Sequence, residues 1–188
     1  MSAVWHAAAM KPLRRVAAAL SLLLVAMLVG VAPAHAAFDR VDDPAGDADA
    51  PGLDITGAVL RNRDDEVVVR VRFVEVVRGD LVVSVDPRGK RGVRLISERR
   101  GDGSHRDHVL PGAFSDRSGG DDAAGVDCPG YRVRWSETRS TATLRLPSTC
   151  LRGGDYGAVR FAVLTERGAD ADFAPDNRRM VTGWTARG

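Results

Sequence analysis

The sequence has 188 residues and a formal net charge of +2, and only 5% of its residues are aromatic. Its first 36 residues, which we expect to be cleaved, hold 3 of the 27 basic residues and no acidic residue, leaving 24 basic against 25 acidic residues, a net charge of −1. This balance excludes a general electrostatic attraction to nucleic acid or to membranes, so any basic function must be local.

Residues 11–36 have the parts of a secretory signal: basic residues at the start, an apolar run over 16–32, and a small-residue ending. We predict a signal peptide over residues 1–36, with Met10 as the alternative start because the residues before it fit no part of a signal. An uncleaved membrane anchor is the alternative, although the apolar run is short for a membrane span. We expect residues 37–188 to be secreted as one extracellular domain without a stable membrane anchor.

The segment that follows the predicted cleavage site is rich in aspartate, glycine and proline, and a second acidic segment lies near the end of the chain. If the first and last strands are neighbours, the two groups meet and offer the oxygen ligands that Ca²⁺ prefers. The alternative is that these residues form polar turns, which the sequence alone favours. The predicted calcium ligands are Asp43, Asp47, Asp49 and Asp54 in the first group and Asp170, Asp172 and Asp176 in the second.

Apolar residues alternate with polar ones in several short segments separated by turn-forming residues, and no segment has a helical period. Seven or eight strands at this spacing predict an all-β protein, an antiparallel β-sandwich of jelly-roll or immunoglobulin-like type, with a β-barrel as the alternative. The predicted core residues outside the hairpin described below are Leu53, Ile55, Val59, Val67, Val69, Val71, Phe73, Leu81, Val83, Val85, Val93, Leu95, Val159, Phe161 and Val163.

Both cysteines flank a predicted hairpin whose strands lie within 131–136 and 141–147. A hairpin folded about residue 139 places Cys128 opposite Cys150, which predicts a disulfide in an oxidising compartment. Closing a loop of this length stabilises a fold by roughly 3 kcal/mol in the chain-entropy account. A redox-active pair is the alternative, but the C-x-x-C spacing typical of such pairs is missing.

The segment SHRDH holds His105 and His108 with Asp107 between them. Two histidines and a carboxylate are able to bind zinc, and one histidine is able to act as a catalytic base. The alternative, which the sequence favours, is a polar hairpin loop, because no third histidine and no hydrolase motif accompany the pair.

Arginines alternate with the core residues of several predicted strands. Should these strands share a sheet, its outer face carries guanidinium groups that bind phosphate or carboxylate polymers of a cell envelope. The alternative is that acidic residues pair with them across the strands. The arginines are Arg70, Arg72, Arg132, Arg134, Arg145 and Arg160.

Three motifs occur in a fixed order: a D-x-x-G-D loop that begins at Asp43 and leads into Asp54-Ile55, the segment LPSTCL at 146–151, and a terminal D-x-x-P-D with a later tryptophan. In this order the sequence resembles small secreted actinobacterial proteins of uncharacterised function. More distantly it is similar to family 9 carbohydrate-binding and DOMON-type domains. That resemblance implies a jelly-roll-like sandwich, with calcium, sugar or haem as ligand in some members. The chain departs from them in having few aromatic residues and no Met/His pair suited to haem.

Two classes of function remain. The first is a secreted, non-catalytic binding or interaction module, with a protein or an anionic envelope polymer as partner. We expect no cofactor, with a structural calcium ion as the alternative. The second is an extracellular enzyme that uses His105, Asp107 and His108. We favour the first class because the sequence has no recognisable catalytic motif.

Overall fold

The computed structural model describes residues 37–48, 52–116, 124–176 and 180–188. The predicted signal peptide over 1–36, the alternative start at Met10 and the predicted calcium ligand Asp49 lie outside the described residues. Within the described ranges, no helix is long and apolar enough to cross a membrane.

The described residues form ten β-strands and three short 3-10 helices. The strands are β1 (Ala37–Asp42), β2 (Ile55–Asn62), β3 (Glu66–Phe73), β4 (Gly79–Pro87), β5 (Val93–Arg99), β6 (His105–Pro111), β7 (Arg132–Ser136), β8 (Thr141–Pro147), β9 (Val159–Arg167) and β10 (Asp170–Ala174). The 3-10 helices are η1 (Glu137–Arg139), η2 (Ser148–Cys150) and η3 (Arg152–Gly154).

The strands form two antiparallel sheets of five strands that pack on each other and do not close into a barrel. The first sheet has the order β1-β2-β3-β8-β7 and the second the order β10-β9-β4-β5-β6. The chain builds three strands of each sheet as a meander, β1 to β3 and then β4 to β6, and completes the sheets with the hairpins β7-β8 and β9-β10. The predicted all-β sandwich is therefore confirmed.

Side chains that alternate along the two central strands form the middle of the core. Val67, Val69 and Val71 of β3 are fully buried, as are Leu81 and Val83 of β4. Because successive side chains of a strand point to opposite faces, the arginines between the valines of β3 are directed to the outer side of the first sheet. The alternating pattern of the sequence thus fixes which face of β3 meets solvent.

The inward face of β2 differs from the prediction. Ile55 is buried as expected, but Val59 lies on the outer face and Leu60 takes the place in the core. The strand pairing shifts by one residue between Ile55 and Gly57, a β-bulge, and this shift reverses the alternation that follows it. Gly57 has a φ of +146°, and a Cβ there would lie 2.6 Å from the Val41 carbonyl oxygen, so the bulge requires glycine.

Three strands are missing from the predicted set, and each lies at the edge of a sheet. They are β1, β6 and β10, at the margins of the two sheets. The predicted polar loop around His105 and His108 is therefore wrong, since both residues belong to β6. Edge strands commonly carry polar and charged residues that discourage further pairing. Strands of this composition are not recognised when strands are predicted from alternating apolar residues.

The predicted disulfide between Cys128 and Cys150 is confirmed, with an S–S distance of 2.04 Å and a Cα–Cα distance of 5.3 Å. The predicted register of the hairpin is wrong by one residue. Val133 faces Leu144, whereas a hairpin centred on residue 139 would place it opposite Arg145. Because both cysteines lie beyond the strand ends, the intervening turns absorb the difference and the bridge still closes.

Candidate functional site

Six arginines of the first sheet lie on its outer face, which we call the arginine face. In one row of registered neighbours, Arg61 is followed by Val68, then Arg145 and then Arg132. The next row along the strands runs Val59, Arg70, Thr143 and Arg134. The arginine face consists of Arg61, Arg70, Arg72, Arg132, Arg134 and Arg145.

Only two arginines of this face form an ion pair with a described residue. Arg145 donates a hydrogen bond to Glu66, and Arg72 donates one to Asp42 over 3.1 Å. The side chains of the four others make no hydrogen bond or ion pair with any residue that the structure describes; they are Arg61, Arg70, Arg132 and Arg134. Cross-strand pairing with acidic residues, the alternative drawn from the sequence, therefore accounts for a minority of the positive charge on this face.

Two shallow grooves run between these side chains. One of about 300 Å³ is lined by Arg61, Arg70, Arg72 and Arg145 around the exposed parts of Val59 and Val68. Arg70 and Arg145 separate it from a second groove of about 400 Å³, to which Arg132, Arg134 and Thr143 also contribute. Guanidinium groups with free donors on an open sheet are suited to bind anions.

Arg160, the sixth arginine predicted for this face, lies elsewhere. It belongs to β9 of the second sheet, where its Nε donates to Asp86 Oδ2 over 2.7 Å. Its guanidinium also lies 4.7 Å from the ring centre of Trp184. Strand alternation gave its outward direction correctly, but the period of the pattern does not reveal which sheet a strand joins.

Three carboxylates from both predicted acidic groups meet where the edges of the two sheets come together. Asp43 follows β1, Asp47 lies in the loop after it, and Asp172 is on β10. One carboxylate oxygen from each lies within 4.8 Å of the others. We call these three residues the acidic cluster. Because these three residues lie close together, neither aspartate-rich segment has to supply all the ligands of a metal site by itself.

Hydrogen bonds hold the walls of the acidic cluster in place. Asp172 Oδ2 accepts the amide proton of Ile55 over 2.6 Å, which ties β10 to the start of β2. Asp54 Oδ2 accepts the amide proton of Gly46 over 2.7 Å, which fixes the turn between Asp43 and Asp47. Asp54 therefore shapes the loop and is not part of the cluster.

The carboxylates of the cluster are poorly compensated. Asp43 Oδ2 is buried and has no hydrogen-bond partner among the described residues. Burial raises the pKa of Asp43 from 3.8 to about 7, and the negative charges around it add to this increase. Those charges belong, in decreasing order of effect, to Asp172, Asp47, Asp176 and Asp54.

Asp172 is only 8% exposed, and its pKa is also raised by burial, although the amide groups of Ile55 and Phe173 oppose the increase. Asp170 and Asp176, the remaining predicted ligands that the structure describes, are not among the three converging residues. The three carboxylates offer the type of ligand that a hard cation such as Ca²⁺ prefers, and they supply part of its coordination shell.

The histidines predicted as zinc ligands or catalytic groups do not converge. His105 Nδ1 lies 2.8 Å from Asp107 Oδ1, and that oxygen also accepts the Ser97 hydroxyl over 2.7 Å. His108 is on the opposite face of β6, with its Nδ1 3.8 Å from Glu98. Residues three apart in a strand point to opposite sides, so the H-x-x-H spacing does not chelate a metal here.

The Ser97 hydroxyl near His105 is fully buried and accepts a hydrogen bond from Trp135 Nε1 over 3.0 Å. Asp107 stands between this hydroxyl and His105, so the imidazole is not placed to activate it as a nucleophile. The group links β5, β6 and β7 through satisfied polar contacts, and its geometry supports a structural role.

Sequence reasoning missed Arg61 and Thr143 on the arginine face. The alternation expected for β2 ran through odd-numbered residues and directed Arg61 inward, and the bulge at Gly57 reverses it. Thr143 alternates with the buried residues of β8, but a neutral side chain at an outward position does not indicate a site. Its importance follows only from the register that places it between Arg70 and Arg134.

No protein-family model matches the sequence, and searches of curated proteins and of solved structures find no match either.

Proposed function

We propose that the protein is a secreted, non-catalytic β-sandwich module that binds anionic polymers of a cell envelope through its arginine face. The observation that carries the proposal is the register of β7 and β8, in which Arg132 lies directly opposite Arg145. Like charges at opposite positions of neighbouring strands are destabilising, and a bound anion relieves that repulsion. Charge-assisted hydrogen bonds from guanidinium groups to phosphate or carboxylate supply the affinity.

Binding of the mature chain, residues 37–188, to immobilised cellulose phosphate tests this function. Replacing Arg70 and Arg134, which have no ionic partner among the described residues, by glutamine removes two free cations from the face. We expect the affinity of Arg70→Gln with Arg134→Gln to fall at least tenfold, since hydrogen bonds to charged groups contribute about 1.5–3 kcal/mol each.

The matched control is Arg100→Gln with Arg106→Gln, two exposed arginines at and beside the edge of the second sheet. This variant has the same net charge as the test variant but an intact arginine face. An equal loss of affinity in both variants would show that binding follows net charge alone, and the arginine face would then have no special role.

The acidic cluster supports a second proposal, a structural calcium ion held by Asp43, Asp47 and Asp172. The specific observation is the convergence of their oxygens within 4.8 Å from segments more than a hundred residues apart in the chain. Metal analysis of the purified mature protein tests it, and we expect about one equivalent of calcium that chelator removes. Zinc in place of calcium would contradict the proposal.

Export is part of the proposal and rests on the signal-like segment together with the disulfide, which persists in oxidising compartments. N-terminal sequencing of the protein recovered from culture medium should begin at Ala37 or within a few residues of it. Recovery of the intact apolar segment in a membrane fraction would contradict secretion.

A further inference from the structure

The arginine face contains two positions at which donor-bearing residues are neighbours in register, and both positions include residues of β7 and β8. At the first position, Thr143 of β8 is flanked in register by Arg70 of β3 and Arg134 of β7. A hydroxyl group thus stands between two guanidinium groups that have no ionic partner among the described residues. We call this position the threonine subsite.

At the second position, Arg145 of β8 faces Arg132 of β7 directly. Arg145 shares Glu66 with Arg63, so a single carboxylate serves two arginines there. Arg132 has no acidic partner in the described part of the chain. We call this position the paired-arginine subsite, and its positive charge exceeds what Glu66 neutralises.

The two subsites are separated by two residues along both β7 and β8, which corresponds to about 7 Å of strand. They open into the same groove of about 400 Å³, which is lined by Arg70, Arg132, Arg134 and Arg145 together with Thr143. A single small anion occupies one subsite, whereas a chain whose charges repeat at this spacing occupies both. The groove is therefore matched to a linear polyanion that runs along the strands.

The donors of the threonine subsite favour phosphate over carboxylate. Two guanidinium groups and one hydroxyl belong to registered neighbours on three adjacent strands and line one groove. The tetrahedral oxygens of a phosphate accept donors from different sides at once. A carboxylate is planar, and one arginine fork already engages both of its oxygens. The hydroxyl is the component that a purely electrostatic surface would not require.

The residues that line the groove also indicate which kind of linker connects the phosphates of the ligand. No aromatic side chain is among the described residues that line it, so it offers no platform for stacking a nucleobase or a sugar ring. Recognition then depends on the charged backbone of the polymer and not on substituents attached to it. Short, uncharged linkers, such as a small polyol, meet the required spacing between successive phosphates.

We infer that the arginine face binds a linear phosphodiester polymer with short polyol-type linkers, and that successive phosphates occupy the threonine subsite and the paired-arginine subsite. The inference rests on the proposed function of this face and specifies its ligand class. It adds two requirements that a general anion-binding face does not have: a preference for phosphodiesters and a need for at least two linked charges.

The test uses synthetic propanediol phosphodiester oligomers as probes, titrated into the mature protein at fixed salt. We expect an oligomer of several phosphates to bind about a hundredfold more tightly than a single phosphodiester, because the second contact becomes intramolecular. Oligogalacturonate of the same charge should bind at least tenfold more weakly than the phosphodiester oligomer. Single-stranded DNA with the same number of phosphates should gain nothing over the propanediol oligomer.

Thr143→Val isolates the threonine subsite without changing net charge. Because a hydrogen bond to a charged group is lost, we expect the phosphodiester affinity to fall roughly five- to tenfold while the oligogalacturonate affinity stays unchanged. Ser136→Ala, on the same groove but outside both subsites, is the control and should leave both affinities unchanged. A melting temperature for each variant shows whether the fold is intact.

The outcomes separate this inference from the function on which it rests. If phosphodiester and carboxylate oligomers bind equally and Thr143→Val changes nothing, the ligand class is wrong while the anion-binding face stands. Tighter binding of DNA than of the propanediol oligomer would overturn the inference in favour of nucleic acid. If no oligomer binds even at low salt, the proposed function fails as well.

Discussion

The arginine face and the acidic cluster both concentrate charge of one sign, yet the protein surrounds them differently. The arginines stand on the outer side of a sheet, and most of them are exposed to solvent. The acidic cluster lies where the edges of both sheets meet, and its Asp172 is only 8% exposed. Water screens the first group, whereas in the second it reaches Asp47 but is partly excluded from Asp43 and largely excluded from Asp172.

This difference predicts how each region depends on its counter-ion. Repulsion between exposed arginines is weak in water, so we expect the first sheet to fold without an anion and a polyanion to act there only as a ligand. Burial of the Asp43 carboxylate, together with repulsion from its acidic neighbours, raises its pKa to about 7 and so opposes folding with the group ionised. We therefore expect a cation in the acidic cluster to act as a component of the folded state.

Loss of the disulfide is expected to have the largest effect and to fall on one region only. The bridge closes the β7-β8 hairpin, which carries Arg132, Arg134 and Arg145. Cys128→Ala with Cys150→Ala should lower the free energy of unfolding by about 3 kcal/mol, measured by urea denaturation, because the unfolded chain gains freedom.

The double variant should also bind polyanions more weakly, since the hairpin no longer holds its register, while the response to calcium persists. Equal loss of both responses would show that the hairpin and the acidic cluster are coupled. In the natural protein, thiol labelling after denaturation without reductant should find no free cysteine.

Calcium is expected to stabilise the protein almost as strongly, through the other region. A ligand that binds only the folded state at a hundred times its dissociation constant contributes about 2.7 kcal/mol. For a domain of this size the melting temperature should rise by roughly 5–10 °C between chelator and millimolar calcium.

Asp43→Asn with Asp172→Asn should abolish the shift, whereas Asp65→Asn with Asp127→Asn, two exposed aspartates outside the cluster, should retain it. A melting temperature that is the same in calcium and in chelator would return the aspartate-rich segment to a simple polar loop.

The sequence predicts the centre of this fold better than its margins. In strands such as β3 and β4, apolar residues alternate with polar ones or form a continuous run because the core lies against them. This hydrophobic pattern identifies such strands in the sequence. The edge strands β1, β6 and β10 bury few apolar side chains and leave no such signal. The bulge at Gly57 reverses β2 without any residue that the pattern alone would single out.

The two charged regions were predictable to different degrees for the same reason. Strand alternation identified five of the arginines of the face, because that property is local to each strand. The meeting of Asp43 with Asp172 depends on which strands become the edges of the two sheets, and local periodicity does not contain this information. The sequence predicts shared ligands only on the condition that the two aspartate groups meet. The positions of β1 and β10 at the edges of the two sheets bring them together.

The dependence of stability on pH gives a smaller effect that reports on the acidic cluster without a cation. In chelator, the folded protein binds the Asp43 proton more tightly than the unfolded chain does, since the pKa is about 7 when folded against 3.8 normally. The contribution of Asp43 to stability is therefore greatest at low pH and decreases as pH rises from about 4 to about 7.

We expect this decrease to be about 1 kcal/mol, well below what the full shift implies, because water that reaches the exposed Asp47 screens the repulsion. The measurement is the difference in urea midpoint between the natural protein and Asp43→Asn across this pH range, which removes the contribution of the histidines. A difference that does not change with pH would mean that the acidic cluster is not desolvated.

The smallest predicted effect concerns the arginine face. Most substitutions lower the free energy of unfolding, whereas this one is expected to raise it. Arg132→Gln removes one of two like charges that lie opposite each other, while glutamine retains much of the aliphatic side chain. Without polyanion, the free energy of unfolding should rise by a few tenths of a kcal/mol, and high salt should erase the gain because exposed charges are screened. Arg100→Gln, which makes the same change in net charge away from the face, should have no such effect.

The same Arg132→Gln variant should bind the propanediol phosphodiester oligomer more weakly, so stability and binding change in opposite directions. If Arg132→Gln instead destabilises the free protein, Arg132 contributes to the fold itself, and the contrast between a ligand-binding region and a structural cation region would not hold.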